Sequence, residues 1–132
     1  MGWNDFKLPV VGCRYQNDDG TSRQDELRRC QPGEPIDLFR EPDNPHDERA
    51  VAVVSARGVC VGYISRNYNG WIGSKIDRGY DVRAIVGKVR GLNFSGAELD
   101  VVLVINMDGD EPELAGAEHR AWAEQVVRSL AA

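Results

Sequence analysis

The segment Arg40-Glu41-Pro42-Asp43-Asn44-Pro45-His46-Asp47 lies between two runs that read as strands, and it organises the chain around it. Each proline fixes its own φ and disfavours helix in the residue before it, so a rigid, extended corner is expected. The corner ends on an imidazole and a carboxylate side by side. Residues 35–40 precede it as a strand with Ile36 and Leu38 on one face, and residues 50–55 follow as an apolar strand. A stiff loop carried on strands is a good way to hold polar side chains in place for a ligand.

Outward from this corner the same signals recur. Arg57-Gly58 makes a tight turn, and residues 59–65 form a fourth strand, paired with the third as a hairpin. Tyr68, Ile72 and Ile76 recur every four residues and predict a short helix that Arg78-Gly79 ends, although Gly70 and Gly73 oppose it. Trp71 on this helix reads as a packing residue. Residues 80–89 and 99–107 read as strands joined by a turn at 91–96. The continuous apolar run 101–105 predicts a strand buried on both faces. On the N-terminal side, residues 8–15 alternate as a first strand, and residues 16–20 turn. Ser22 or Thr21 then caps a helix over 23–30, with Asp25 three residues after Ser22, and Pro32-Gly33 stops it. Six short strands with two short helical insertions predict a mainly β fold, a small closed or nearly closed barrel.

A chain of 132 residues is long enough for one domain with a real core. No apolar run approaches a bilayer span and the N-terminus lacks a secretory h-region, so no membrane association is expected. Cys13, Cys30 and Cys60 are odd in number and far apart, with no CxxC pair; neither a zinc site nor a disulfide framework is expected. Cys13 and Cys60 fall in expected strands as small buried hydrophobes, and a reducing, cytoplasmic compartment follows.

The net charge of −5 argues against a nucleic-acid partner until its distribution is considered. Residues 1–105 hold 14 Lys and Arg against 15 Asp and Glu, whereas residues 106–132 hold 2 against 6. The acidity is concentrated in the tail, and the body has arginines enough for a local basic face. The expected division is a barrel over 1–107 and, over 108–132, an acidic linker with a C-terminal amphipathic helix. That helix would carry Ala115, His119, Trp122, Val126 and Leu130 on one stripe. It reads as docked on the barrel or as a handle for a partner or a second copy. Asp43, His46, Asp47 and Glu48 are hard metal ligands close together, but their spacing matches no ligand signature. No nucleophile–base pair, phosphate-cradling glycine loop or GxxxxGK[ST] is readable. Neither an enzyme nor a cofactor is expected.

Three segments together resemble the HIRAN domain family, a small module borne by fork-remodelling helicases and also found alone in bacteria. They are Val10-Val11-Gly12-Cys13-Arg14-Tyr15; the corner with Ala50-Val51; and Gly62-Tyr63-Ile64-Ser65-Arg66. Asp19-Gly20-Thr21-Ser22-Arg23-Gln24 resembles an insertion of the bacterial members. The resemblance covers about residues 8–89. It implies an OB-like barrel and capture of the 3′ end of single-stranded DNA, in DNA repair, replication or defence, with any helicase or nuclease acting in trans. It carries the family's DNA-binding residues onto Arg14, Tyr15, Asn44, His46, Asp47, Tyr63 and Arg66. On that reading a terminal base stacks on Tyr15 and His46. The Asp47 carboxylate, an acceptor only, takes the free 3′-hydroxyl and repels a 3′-phosphate. Arg14 and Arg66 hold phosphates. The chain departs from the family at His46, where a tyrosine is usual, and at Gln16, where the eukaryotic members have a second tyrosine; a smaller ring stacks less, which implies end binding that is weaker or lost.

Simpler readings stand beside these. Tyr15 can be a half-buried strand aromatic, Asp47 a loop cap bonded to its own backbone, Asn44-Pro45 a structural turn, and Arg14 and Arg66 solvated charges. The alternative function is a protein-interaction adaptor using the barrel and the C-terminal helix.

Overall fold

The computed structural model describes residues 4–114. The elements run β1 (Phe6–Val11), α1 (Arg23–Arg29), β2 (Pro35–Arg40), β3 (Val51–Val54), β4 (Cys60–Ile64), α2 (Arg66–Asp77), β5 (Arg83–Arg90) and β6 (Asp100–Asn106). All strand pairs are antiparallel, and the order β1-β4-β3-β2-β5-β6 closes into a barrel when β6 pairs with β1. The C-terminal helix expected beyond residue 114 lies outside the described residues. Among the described residues no helix is long and apolar enough to cross a membrane.

The two-residue period of the strands turns one set of side chains into the barrel. Val51 and Val53 of β3, Val61 of β4, and Leu103 and Ile105 of β6 are fully buried in one core with Leu8, Val10 and Ile36. Leu27 from α1 and Ile72 from α2 join that core, both at zero exposure; each such side chain contributes roughly 2 kcal/mol of burial. In β6, Val104 is buried as well as its neighbours Leu103 and Ile105, as the continuous apolar run predicts. The helix caps also follow the sequence. Ser22 accepts the Asp25 amide at the start of α1, and Ser65 accepts the Asn67 amide at the start of α2.

Three expectations are corrected. The first strand ends at Val11, not Tyr15, because Gly12 adopts φ +76° and the Tyr15 amide turns back onto the Gly12 carbonyl. Cys13 and Tyr15 therefore lie in a turn: Cys13 is buried with its thiol pushed up to about 11, chiefly by burial, while Tyr15 is 58% exposed. The fifth strand starts at Arg83, because Gly79 at φ +82° folds Tyr80 back so that its amide reaches the Lys75 carbonyl. Finally, the Pro-bracketed corner is not extended. It is two successive turns, closed by the Asn44 amide on the Glu41 carbonyl and the Ala50 amide on the Asp47 carbonyl. Pro42 occupies the second position of the first turn, where its fixed φ suits a β-turn.

Near one end of the barrel a buried polar knot holds the described part of the tail. Asn106 donates to Asp5 at 2.9 Å and accepts from the amides of Asp108 and Asp110, and Asp5 accepts the Glu113 amide. Residues 108–114 are irregular and anchored by this knot.

Candidate nucleic-acid interface

The double turn between β2 and β3 closes one wall of a groove of about 1080 Å³. The opposite wall is the turn after β1, and the floor is built by β4 and the first turns of α2. Segments far apart in sequence meet here: Tyr15, Asn44, His46, Asp47, Tyr63 and Arg66 all line it. Arg14 is not among the lining residues. Its guanidinium lies 5.2 Å from the Tyr15 ring centroid and donates to the Tyr15 hydroxyl at 3.3 Å. It thus backs an aromatic that the groove presents to solvent.

The polar side chains of the corner are fixed mostly by one another. The Asn44 carbonyl oxygen accepts the amides of His46 at 2.8 Å and Asp47 at 3.2 Å, and its amide group donates to Glu41. Asn44 is the turn-forming residue of the loop. Asp47 accepts the Arg49 amide through one oxygen and the Asn69 side-chain amide through the other, both at 2.9 Å. Arg66 Nε stands 3.7 Å from that second oxygen, and Arg66 also donates to the His46 carbonyl. These donors, the Arg49 amide first and then Asn69, hold the Asp47 carboxyl below the usual carboxylate range against its partial desolvation. It is ionised at neutral pH, and two donors leave acceptor capacity on a carboxylate with about four lone-pair sites. Asp47 thus fills the loop-cap role while keeping a face toward the groove.

Tyr63 is oriented from both sides. Its hydroxyl donates to Glu41 at 2.9 Å, and the Arg23 guanidinium sits 5.4 Å from its ring centroid. Burial, then the hydrogen bond to Glu41, pushes the phenol up to about 12. The groove therefore brings together the carboxylates of Asp18, Glu41, Asp43 and Asp47, the rings of Tyr15, His46 and Tyr63, and the guanidiniums of Arg23, Arg40 and Arg66. Among the described residues no three His, Cys, Asp or Glu side chains gather as a metal ion would need.

Three lining residues were missed as site residues. Arg23 reaches in from α1, fixed by bonds to the Asn17 side chain and the Gly12 carbonyl, both at 2.7 Å. Glu41 accepts from both Tyr63 and Asn44. Asn69, 3% exposed, supports Asp47 from α2. Asn69 had a readable signal, since it stands three residues before Ile72 on the apolar face of α2. A polar residue there must find a buried partner.

The HIRAN domain family model matches residues 4–111. The crystal structure of the HIRAN domain of human HLTF is similar, with a TM-score of 0.59 and 23% identity, covering 78% of this chain and 74% of that one. A crystal structure of a protein from Lactobacillus plantarum is similar with a TM-score of 0.54 and 26% identity, covering 76% of this chain and 96% of that one. The NMR structure of the HLTF HIRAN domain aligns with a TM-score of 0.51 at 19% identity, covering 78% and 74%. No curated protein sequence matches the chain.

Proposed function

Because the chain belongs to the HIRAN domain family, we propose that it is a non-catalytic module that binds single-stranded DNA and captures its 3′-hydroxyl end. The observation that carries this reading is the setting of Asp47. An ionised carboxylate, fixed through both oxygens and beside a guanidinium, lines a groove that also presents two aromatic rings. A terminal base stacks on Tyr15 and the His46 imidazole, at roughly 1–3 kcal/mol per base. The free 3′-hydroxyl donates to Asp47, whereas a 3′-phosphate meets like charge there. Arg66, exposed beside Asp47, and Arg14 behind Tyr15 take the adjoining phosphates, which positions the strand without reading its sequence. Asn44 and Tyr63 act by shaping the loop and floor.

The test is fluorescence anisotropy at low salt with a short single strand ending in a 3′-hydroxyl, against the same strand ending in a 3′-phosphate. A preference for the hydroxyl of about tenfold or more is expected, lost in Asp47→Ala, with both ends weakened in Tyr15→Ala. Absent binding, or binding blind to the terminal group, would sink the reading.

A further inference from the structure

The groove holds a carboxylate oxygen that end capture does not use. Glu41 follows β2 directly and stands where the double turn meets the floor. One of its oxygens, Oε1, accepts twice: from the Tyr63 hydroxyl at 2.9 Å and from the Asn44 side-chain amide at 3.0 Å. These donors come from β4 and from the loop, so the carboxylate is held from two sides. The other oxygen, Oε2, has no partner among the described residues. No buried side-chain oxygen or nitrogen among them is left unpaired, so Oε2 is open to solvent in the groove that Glu41 lines.

Other polar side chains of the groove suit the same task less well. Asp18 and Asp43 are exposed, where water competes for a carboxylate, whereas Glu41 is half-buried. Gln16 is exposed too, and its amide can turn either a donor or an acceptor to a ligand, so it fits every base.

A base stacked on Tyr15 from one wall and on His46 from the other turns an edge toward the floor, where Glu41 stands. A carboxylate only accepts hydrogen bonds. Cytosine offers it the N4 amino group and adenine the N6 amino group, whereas thymine and uracil set the O4 carbonyl at that place. A carbonyl there is repelled and leaves the carboxylate unpaired, which is how a polar site rejects a close analogue.

We propose that Glu41 is a specificity-determining residue of the groove. Its free oxygen takes the exocyclic amino group of the 3′-terminal base, so ends in cytosine or adenine are captured in preference to ends in thymine or uracil. This rests on the reading of the groove as a 3′-end site.

The experiment is fluorescence anisotropy on the full chain with 3′-hydroxyl strands of about eight nucleotides, alike except for the last base. Terminal dC against terminal dU is the decisive pair, because the two differ only in the amino or carbonyl group at C4 and the proton on N3. The dC end is expected to bind about tenfold tighter, the scale of one hydrogen bond to a charged group. The same exchange well inside the strand should change nothing. Glu41→Gln keeps an oxygen for Tyr63 and Asn44 and turns an NH2 into the groove, so the preference should vanish or reverse toward dU. Should that variant fold poorly, Glu41→Asp, which keeps the charge and draws the oxygens back by one methylene, should lower the same ratio. The ratio is read within each variant, so a general weakening of the loop does not move it. Equal affinity for dC and dU, with the preference for a 3′-hydroxyl over a 3′-phosphate intact, overturns base reading and leaves the end site standing. A dC preference that survives unchanged in the variants overturns the assignment to Glu41. If no strand binds, the end site falls and base reading falls with it.

Discussion

Asn69 donates its side-chain amide to the Asp47 carboxylate at 2.9 Å, joining the buried face of α2 to the loop between β2 and β3. The two residues are 22 apart in sequence, and the bond is the point at which helix and loop agree on where the carboxylate sits. With the Arg49 amide on the other oxygen, it leaves Asp47 few ways to rotate. Removing Asn69 therefore loosens the carboxylate without touching any group that would meet DNA directly.

Asn69→Ala is expected to reduce the preference for a 3′-hydroxyl over a 3′-phosphate by about tenfold, the scale of one hydrogen bond to a charged group. Affinity for the phosphate-ended strand should change little. Anisotropy with both ends is the measurement; a preference equal to wild type in a folded variant would mean that Asp47 is held by its own loop alone.

Arg23 makes a different prediction. Its guanidinium is fixed between Asn17, the Gly12 carbonyl and the face of Tyr63. A pre-set fork of this kind suits a phosphate better than a mobile ammonium does. Arg23→Gln should weaken both hydroxyl- and phosphate-ended strands alike and lower the salt slope by about 0.7. Arg23→Lys should keep the slope while losing part of the affinity. A salt slope unchanged in Arg23→Gln would show that the residue serves only to hold α1 against the turn after β1.

How much of this was legible in sequence depended on how local the cause was. Strand β2 keeps the bounds read from it, because Pro35 opens it and Glu41-Pro42 closes it. Helix α1 starts where Ser22 can cap it, and α2 stops at Arg78-Gly79. Each proline taken alone predicts an extended corner. The side chain of Asn44 instead folds it, by accepting two amides at once. Tyr15 and Tyr80 were assigned to strands on alternation that Gly12 and Gly79 interrupt with positive φ. Tyr15, Asn44, His46, Asp47, Tyr63 and Arg66, all from the three family segments, line one groove, and Arg14 does not. Arg23 carries no local signal, because its place depends on how α1 packs against β4 and β6. Glu41 lies inside the corner motif but has no local signal, its partner Tyr63 being on another strand.

The glycine of Gly62-Tyr63-Ile64-Ser65-Arg66 has a packing cause. Gly62 has φ +154°, and a Cβ there would come within 2.6 Å of Val10 Cγ1 and of the Val11 carbonyl oxygen. β4 thus crosses β1 too closely for any side chain, and backbone on the opposing strand cannot yield cheaply. Gly62→Ala is expected to cost about 3 kcal/mol, read as a lower urea midpoint with an unchanged slope. A midpoint within error of wild type would show that β1 can move aside without loss.

On the flank of the barrel away from the groove, Arg57 forks onto Glu34 at 2.8 and 2.9 Å and reaches Glu26 at 2.6 Å, tying the β3–β4 turn to α1 and to the start of β2. Arg57, then the Gln31 amide, pulls the Glu34 carboxyl down to about 2. A carboxyl with a depressed folded pKa contributes stability that is fully present above its unfolded value, roughly 4.3, and is lost as pH falls through the folded value. Because the pair is partly solvated, that contribution is about 1 kcal/mol rather than the full shift. Glu34→Gln should therefore be less stable than wild type by about 1 kcal/mol at pH 7, and the difference should close between about pH 4.3 and pH 2. Gln keeps the oxygen that accepts from Arg57 Nη2 and the Gln31 amide but turns an NH2 toward Arg57 Nη1, so the substitution removes the charge and one arm of the fork at nearly constant volume. Urea unfolding of both proteins across that range checks it. A gap that persists unchanged at pH 2 would assign the effect to packing around Arg57 rather than to the ionised carboxylate.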